Sequence, residues 1–231
     1  STRMVGGVIM THGDDDGLLI PPRIAPAHIV ILPMTGRADN PEAVLNYCRK
    51  IADDLRVIPY HGRHIEVEID ERDIRGGEKN WQWIRRGVPI RLDIGQRDMD
   101  GDSVFMARRD KGHKDKENMG RAAFVSNVHD ILEEIQQGMY DRALAFQQSN
   151  SCDIDSEDAF RDFFKTPPGD PTPPHAGFAY AHFCGDEDVE KRINEELGVT
   201  VRCIPLEDGE PGTCIFTGKP SAKRVVWAKA Y

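Results

Sequence analysis

The sequence predicts an α/β fold, and three observations carry that expectation. A continuous apolar run, HIVILPM at 28–34, has the character of a strand buried on both faces. A strong helix start follows it. Asn40 is a natural N-cap, Pro41 suits the first helical position, and Glu42 favours the positive end of the helix dipole. Further on, the runs 90–94 and 103–107 flank a Gly/Asp-rich turn, the mark of a β-hairpin.

The chain has 231 residues, enough for one or two domains that each bury a core. A formal net charge of −9 argues against non-specific nucleic-acid binding through bulk charge, but leaves room for a local basic face. No apolar stretch reaches the roughly 20 residues that span a bilayer, so no membrane partner is expected. No secretory signal opens the chain. Cys48, Cys152, Cys184, Cys203 and Cys214 are odd in number and irregular in spacing, which fits a reducing compartment and a cytoplasmic location.

Taken in order, 1–26 reads STRMVGGVIMTHGDDDGLLIPPRIAP. Met4, Val5, Val8, Ile9 and Met10 suit a strand or short helix in a core, and the strand is the expected form. The domain to which this stretch belongs is expected to lie mainly upstream. Arg3 flanks the apolar run, where a guanidinium needs an anion if it is buried; an exposed arginine is the alternative. The segment HGDDDG reads as a structural turn, with metal ligation or a carboxylate pair as alternatives.

After the strand at 28–34, Val44, Leu45, Cys48, Ile51, Ala52 and Leu55 repeat at helical spacing. A second strand is expected near 65–70. The segment EKNWQWIRRG predicts a short amphipathic helix with Trp81 and Ile84 on one side. The hairpin at 90–107 comes next, and 121–148 predicts a helix of about seven turns with one apolar stripe. A short helix within 153–164 precedes a proline-rich breaker at 166–177. The last stretch predicts a strand (FAYAHF), a helix over 186–197 and two strands, VTVRCIP and KRVVWAKAY. Its expected core is Phe183, Val189, Ile193, Leu197, Val225 and Trp227.

The runs STRxVGG and THGDDxGLxxPPxIAP resemble the third signature motif and catalytic-domain exit of prolyl-tRNA synthetases of the archaeal and eukaryotic type. GVPIRLDIGQRDM resembles their anticodon-binding domain, and the similarity extends to Tyr231. The resemblance implies three parts: the end of a class II catalytic domain at 1–26, an anticodon-binding domain with a mixed sheet at 27–150, and a small α/β C-terminal domain at 151–231.

It also implies roles. Ser1, Thr2 and Arg3 would contact ATP, with Arg3 the catalytic arginine near the α-phosphate, and Mg²⁺ would act in the full enzyme. Trp81, Asp93, Arg97, Arg108, Arg109 and Lys111 are the candidate tRNA contacts. The last three open a basic cluster that runs on to Lys114 and Lys116; a solvated charged face is the alternative reading. The terminal carboxylate of Tyr231 would fold back toward the active site. Many family members hold a structural zinc through C-x4-C and C-x2-C pairs. Here Cys184 and Cys214 begin the two pairs, but Val189 and Thr217 stand where the partners belong, so no bound zinc is expected. His182 is one conceivable substitute ligand.

The implied activity is that of a proline–tRNA ligase, which activates proline with ATP and transfers it to the proline tRNA. Its partners would be that tRNA, ATP and proline, with a homodimer in the full-length form. The other signature motifs are absent from these residues, so this chain alone is expected not to aminoacylate. The rival expectation is a stand-alone, non-catalytic RNA-binding module with the anticodon-binding fold.

Overall fold

The computed structural model describes residues 1–165, 177–207 and 209–229. The chain divides into two compact units, Ser1–Ala143 and Leu144–Tyr231. The first unit includes the stretch at 1–26. Most of the proline-rich run and Tyr231 lie outside the described residues.

The first unit begins with α1 (Arg3–His12). The strand expected here is a helix, because Met4, Val5, Val8 and Ile9 recur at i, i+1, i+4 and i+5, the spacing of a helical stripe. That stripe is not buried within this unit: Met4, Val5, Ile9 and Met10 are all exposed. The chain then runs as an extended belt to β1 (Ile29–Pro33), which leads into α2 (Pro41–Arg56). Asn40 caps α2 as expected, accepting from the Ala43 amide at 3.1 Å. A small hairpin of β2 (Pro59–Tyr60) and β3 (Arg63–His64) precedes β4 (Val67–Ile69) and α3 (Gly76–Arg86). The predicted β-hairpin appears as β5 (Ile90–Ile94) and β6 (Ser103–Arg108), joined through α4 (Gln96–Asp100). An unforeseen strand, β7 (Lys116–Gly120), feeds α5 (Arg121–Ser149).

The sheet order is β4-β1-β5-β6-β7, with β4 and β5 parallel to β1 and the last two strands antiparallel. This is the mixed sheet the resemblance implies. On one face Ile29, Ile31, Ile90, Leu92, Ile94, Val104 and Met106 join the apolar sides of α2 and α5 in one core. Within α3 the buried aromatic is Trp83, not Trp81. Trp83 donates its indole N–H to Asp70 at 2.8 Å and packs on Val30 and Leu32, while Trp81 is 43% exposed.

The belt is fastened at both ends. Near its start, Arg109 grips Asp14 with two guanidinium nitrogens, one at 2.7 Å, and donates to the Ile84 carbonyl at 3.1 Å. Leu18 donates to the Arg85 carbonyl and Ile20 to that of Gly87. The approach is so close that a Cβ on Gly17 (φ 130°) would lie 2.6 Å from the Arg85 Cα. HGDDDG is thus a structural turn whose Asp14 pairs with a residue 95 positions away. Near the belt's end, Arg63 donates to the Ala25 carbonyl and contacts the buried His28 ring. Burial, aided by the Arg63 charge, pulls the His28 pKa down to about 4, so the ring stays neutral.

Glu133 of α5 closes this region. It accepts from Arg23 at 2.6 Å, Tyr60 at 2.7 Å and His61 at 2.9 Å. The Arg23 bond, with those from Tyr60 and His61, lowers its pKa to about 2 against the opposing effect of desolvation. A depressed carboxylate stabilises the fold above its unfolded pKa and loses that contribution as pH falls toward the folded value. Glu133→Gln is expected to cost roughly 1–2 kcal/mol at neutral pH, after allowing for partial exposure. Urea titrations should show the gap to the wild type closing between about pH 4.5 and 2. A gap that stays constant with pH would refute this role.

The second unit carries β8 (Ser151–Ile154), α6 (Glu157–Phe164), β9 (Phe178–His182), α7 (Glu187–Leu197), β10 (Val199–Cys203), β11 (Gly212–Thr213), β12 (Pro220–Ser221) and β13 (Arg224–Lys229). Its main sheet has the order β10-β13-β9-β8, with β8 parallel to β9. All six core residues expected from the sequence lie in or against its apolar cluster.

Candidate nucleic-acid interface

Strand β5 reads IRLDI, so its side chains alternate between two faces. Ile90, Leu92 and Ile94 enter the core. Arg91 and Asp93 therefore project to the opposite face, which α3 covers over β1. Register extends that face across the sheet. Asp93 lies opposite Phe105, which lies opposite Asn118, while Arg91 lies opposite Ala107, which lies opposite Lys116. Directly opposed residues share a face, so one surface gathers a carboxylate, an aromatic ring, an amide, a guanidinium and an ammonium.

Lys116 forms an ion pair with one oxygen of Asp93 and lies 5.5 Å from the centre of the Phe105 ring. The other Asp93 oxygen is buried and has no donor among the described residues. Arg91 donates from Nε to Asn80 at 2.9 Å, but its Nη2 is buried with no acceptor among the described residues. Desolvation in this position lowers the Arg91 pKa despite the nearby Asp93 charge. Buried polar atoms without partners are costly, and such orphans concentrate where a ligand completes the network. Trp81 stands exposed on α3 with the His113 ring 5.5 Å away.

The candidates divide accordingly. Asp93 lies within this surface, and Trp81 and Arg97 are exposed on neighbouring elements. Arg97 has no ion pair among the described residues and lines a 380 Å³ hollow with Met34, Gly95, Gln96 and Asp98. Lys111 is half exposed and pairs loosely with Glu117 at 3.4 Å. Arg108 is only 10% exposed in its side chain and is held by Asp110 at 2.9 Å and Glu134 at 2.8 Å. Arg109 is buried on the belt, so its expected contact with tRNA gives way to a structural one. Sequence reading passed over Arg91, Phe105 and Asn118 and did not single out Lys116. The available signal was the alternation in IRLDI, which puts two charges on one strand face.

A larger cleft of about 510 Å³ opens at the C-terminal ends of β1 and β4, lined by Met34, Thr35, Gly36, Arg72, Ile74 and Lys79 among others. Ligands of open α/β sheets bind at such strand ends. Its wall is rigid. Asp70 accepts twice from Arg72 and once from Trp83, and its backbone carbonyl accepts from Lys79 at 2.9 Å. Those bonds, that of Arg72 foremost, hold the Asp70 pKa far below the usual carboxylate range.

At the chain's start, Ser1, Thr2 and Arg3 are exposed at the N-terminus of α1, and Arg3 makes no ion pair among the described residues. In the second unit, Val189 packs against the apolar core, and Thr217 offers a hydroxyl 3.4 Å from the Cys184 sulfur. His182 is turned away: Nδ1 contacts the Ser221 hydroxyl at 3.3 Å, and the ring lies so close to Gly212 that a Cβ there would come within 2.4 Å of it. Two thiols and a hydroxyl do not make the four-donor set of a structural zinc, and among the described residues no three potential ligands converge.

Comparison with known proteins covers the whole chain. A family model described as "Anticodon binding domain" matches residues 28–131, and one described as "Prolyl-tRNA synthetase, C-terminal" matches 174–231. Proline–tRNA ligase 2 of Anaeromyxobacter dehalogenans is 50% identical over the whole chain, which covers 46% of that protein. The proline–tRNA ligase of Bdellovibrio bacteriovorus is 43% identical, again over the whole chain and 46% of its own length. Crystal structures of Cryptosporidium parvum prolyl-tRNA synthetase superpose with TM-scores of 0.83 (complexed with L-proline and AMP) and 0.84 (with halofuginone and AMPPNP). Each is 27% identical and covers this whole chain and 46% and 45% of the respective structure. The chain thus spans about half the length of the relatives it matches. The matches include α1.

Proposed function

Because this chain belongs to the prolyl-tRNA synthetase family, we propose that it is the tRNA-reading half of a proline–tRNA ligase. The observation that carries this reading is the pair of buried Asp93 with half-buried Lys116 beside Phe105, with an Asp93 oxygen left unpaired among the described residues. RNA sequence is read on unstacked bases, by stacking on aromatic rings and by hydrogen bonds to Watson–Crick edges. A carboxylate accepts from the N1–H and N2–H groups of guanine, and an ammonium donates to its O6. Proline codons begin with two cytosines, so proline anticodons carry two guanines. Asp93 and Lys116 complement one of them, Phe105 supplies a stacking face, and Arg97, Lys111 and Trp81 lie where backbone or base contacts are within reach.

The remaining roles follow from the family. Ser1, Thr2 and Arg3 present an exposed helix N-terminus and a free guanidinium, both of which favour a phosphate. Arg3 would then stabilise charge at the α-phosphate of ATP while proline is activated. Mg²⁺ would supply further charge neutralisation with ATP bound, while Ser1, Thr2 and Arg3 are the residues of this chain proposed to contact the nucleotide. The terminal carboxylate of Tyr231, which lies outside the described residues, is assigned to the active site of the full-length protein, and the homodimer and the cytoplasmic location to that same protein. No helix among the described residues is long and apolar enough to cross a membrane.

The test is aminoacylation with purified components. The 231-residue chain should bind proline tRNA but form no prolyl-tRNA above background, while the polypeptide extended upstream should charge it. Charging of a different tRNA by the extended polypeptide would overturn the proposal.

A further inference from the structure

The second unit brings two cysteines together in a setting the tRNA-reading surface does not use. Cys184 follows β9, and Cys214 begins the turn between β11 and β12. These segments are tied to each other through the backbone. Ile215 donates to the His182 carbonyl at 3.1 Å, and the Ser221 hydroxyl accepts from the Phe183 amide at 3.1 Å. The Thr217 hydroxyl lies 3.4 Å from the Cys184 sulfur, within the tight turn that Cys214 opens, where the Gly218 amide donates to the Cys214 carbonyl at 3.0 Å. Lys219, held by Asp186 at 3.0 Å, places its positive charge near both thiols.

We propose that Cys184 and Cys214 are a redox-active dithiol that low-molecular-weight disulfides convert to an intramolecular disulfide. It would put a covalent bond where many relatives' sequence pattern would put a metal.

The two sulfurs differ in access. Cys184 is partly exposed, whereas Cys214 is 1% exposed. The Cys184 thiolate attacks one sulfur of the small disulfide, forming a mixed disulfide and expelling one thiolate, which takes a proton from solvent. The Cys214 thiolate then attacks the Cys184 sulfur, forming the internal bond and expelling the second thiolate. Two protein thiols lose two electrons and two protons, and one small disulfide becomes two thiols. The environment suits the second step. Burial opposes the Cys214 thiolate, but the Thr217 hydroxyl and the backbone N–H groups of Phe216, Cys184 and Thr217 outweigh it and lower the pKa. Neither Cys48 nor Cys152 has such a partner: for each, burial raises the thiol pKa.

The experiment equilibrates the reduced, metal-free chain with glutathione disulfide, then measures intact mass, free thiols and the linked tryptic peptides. The expected product has lost two hydrogens and two of its five thiols and contains a Cys184–Cys214 linkage. In Cys184→Ser the linkage is absent, and Cys214 reacts at least about tenfold more slowly than Cys184 does in the wild type. In Cys214→Ser a stable glutathione adduct remains on Cys184. The proposal is overturned if the wild type accumulates only glutathione adducts, or if either cysteine links instead to the exposed Cys203. Circular dichroism of both serine variants, expected to match the wild type, confirms that the lost linkage is not a lost fold; unfolding of both would also count against it, since the thiols would then be structural.

Discussion

Trp227→Ala should destabilise the second unit by about 3–5 kcal/mol, the largest single-residue effect expected in this chain. Trp227 is fully buried in β13 and meets Phe160, Phe183 and Phe216 edge to face, with ring centres 5.4, 5.0 and 5.5 Å apart. Such contacts add to the transfer free energy of a large apolar surface. The unit is small, and this aromatic cluster sits at the centre of its apolar core. Trp227→Phe should cost much less. It retains the edge-to-face packing and removes an indole N–H that has no acceptor among the described residues. Hydrogen exchange resolved over 177–207 and 209–229 would separate the outcomes. Protection should collapse there in Trp227→Ala and persist in the phenylalanine variant, with 1–143 unaffected by either. Equal loss in both variants would show that the buried N–H, and not the packed ring, matters.

The second large effect concerns RNA. Asp93→Asn and Lys116→Ala should each weaken binding of a proline anticodon stem-loop by roughly tenfold to hundredfold, in line with about 1–3 kcal/mol for a lost base contact. Removing Lys116 also strands the buried Asp93, so part of that variant's cost is an unpaired charge. Phe105→Ala should lose about 1–3 kcal/mol of stacking without altering base preference. Arg109→Lys offers a control for the neighbouring basic run. It should loosen the belt at Asp14 and lower stability while leaving RNA affinity nearly unchanged. Isothermal titration of the four variants, each first checked for a cooperative melt, would separate a reading surface from a merely charged one.

How far the sequence itself revealed these features depends on the range of the interactions behind them. Helix α2 was legible residue by residue, since Asn40, Pro41 and the apolar spacing are local signals. The β5–β6 pairing and the core of the second unit were legible for the same reason. Strand β7 was not, because KENMG has no apolar alternation and forms only by pairing with β6. The choice of Trp83 over Trp81 depends on Asp70, a hydrogen-bond partner 13 residues away that helical periodicity does not reveal. Arg109 looked like one cation in a basic cluster because Asp14, which buries it, is 95 positions distant. Asp93 was a candidate from the sequence, but its pairing with Lys116 became visible only when register brought β7 beside β6.

The central claim is that the Asp93–Lys116 surface reads a proline anticodon. The most direct measurement titrates this chain with a proline anticodon stem-loop and with the same stem-loop in which one anticodon guanine at a time is replaced by adenine. Adenine lacks the N2–H group and presents a donor where guanine presents O6. Tight binding to the native loop is expected, with at least about tenfold weaker binding for one of the replacements and a loss of that discrimination in Asp93→Asn. Equal affinity for native and replaced loops would contradict it.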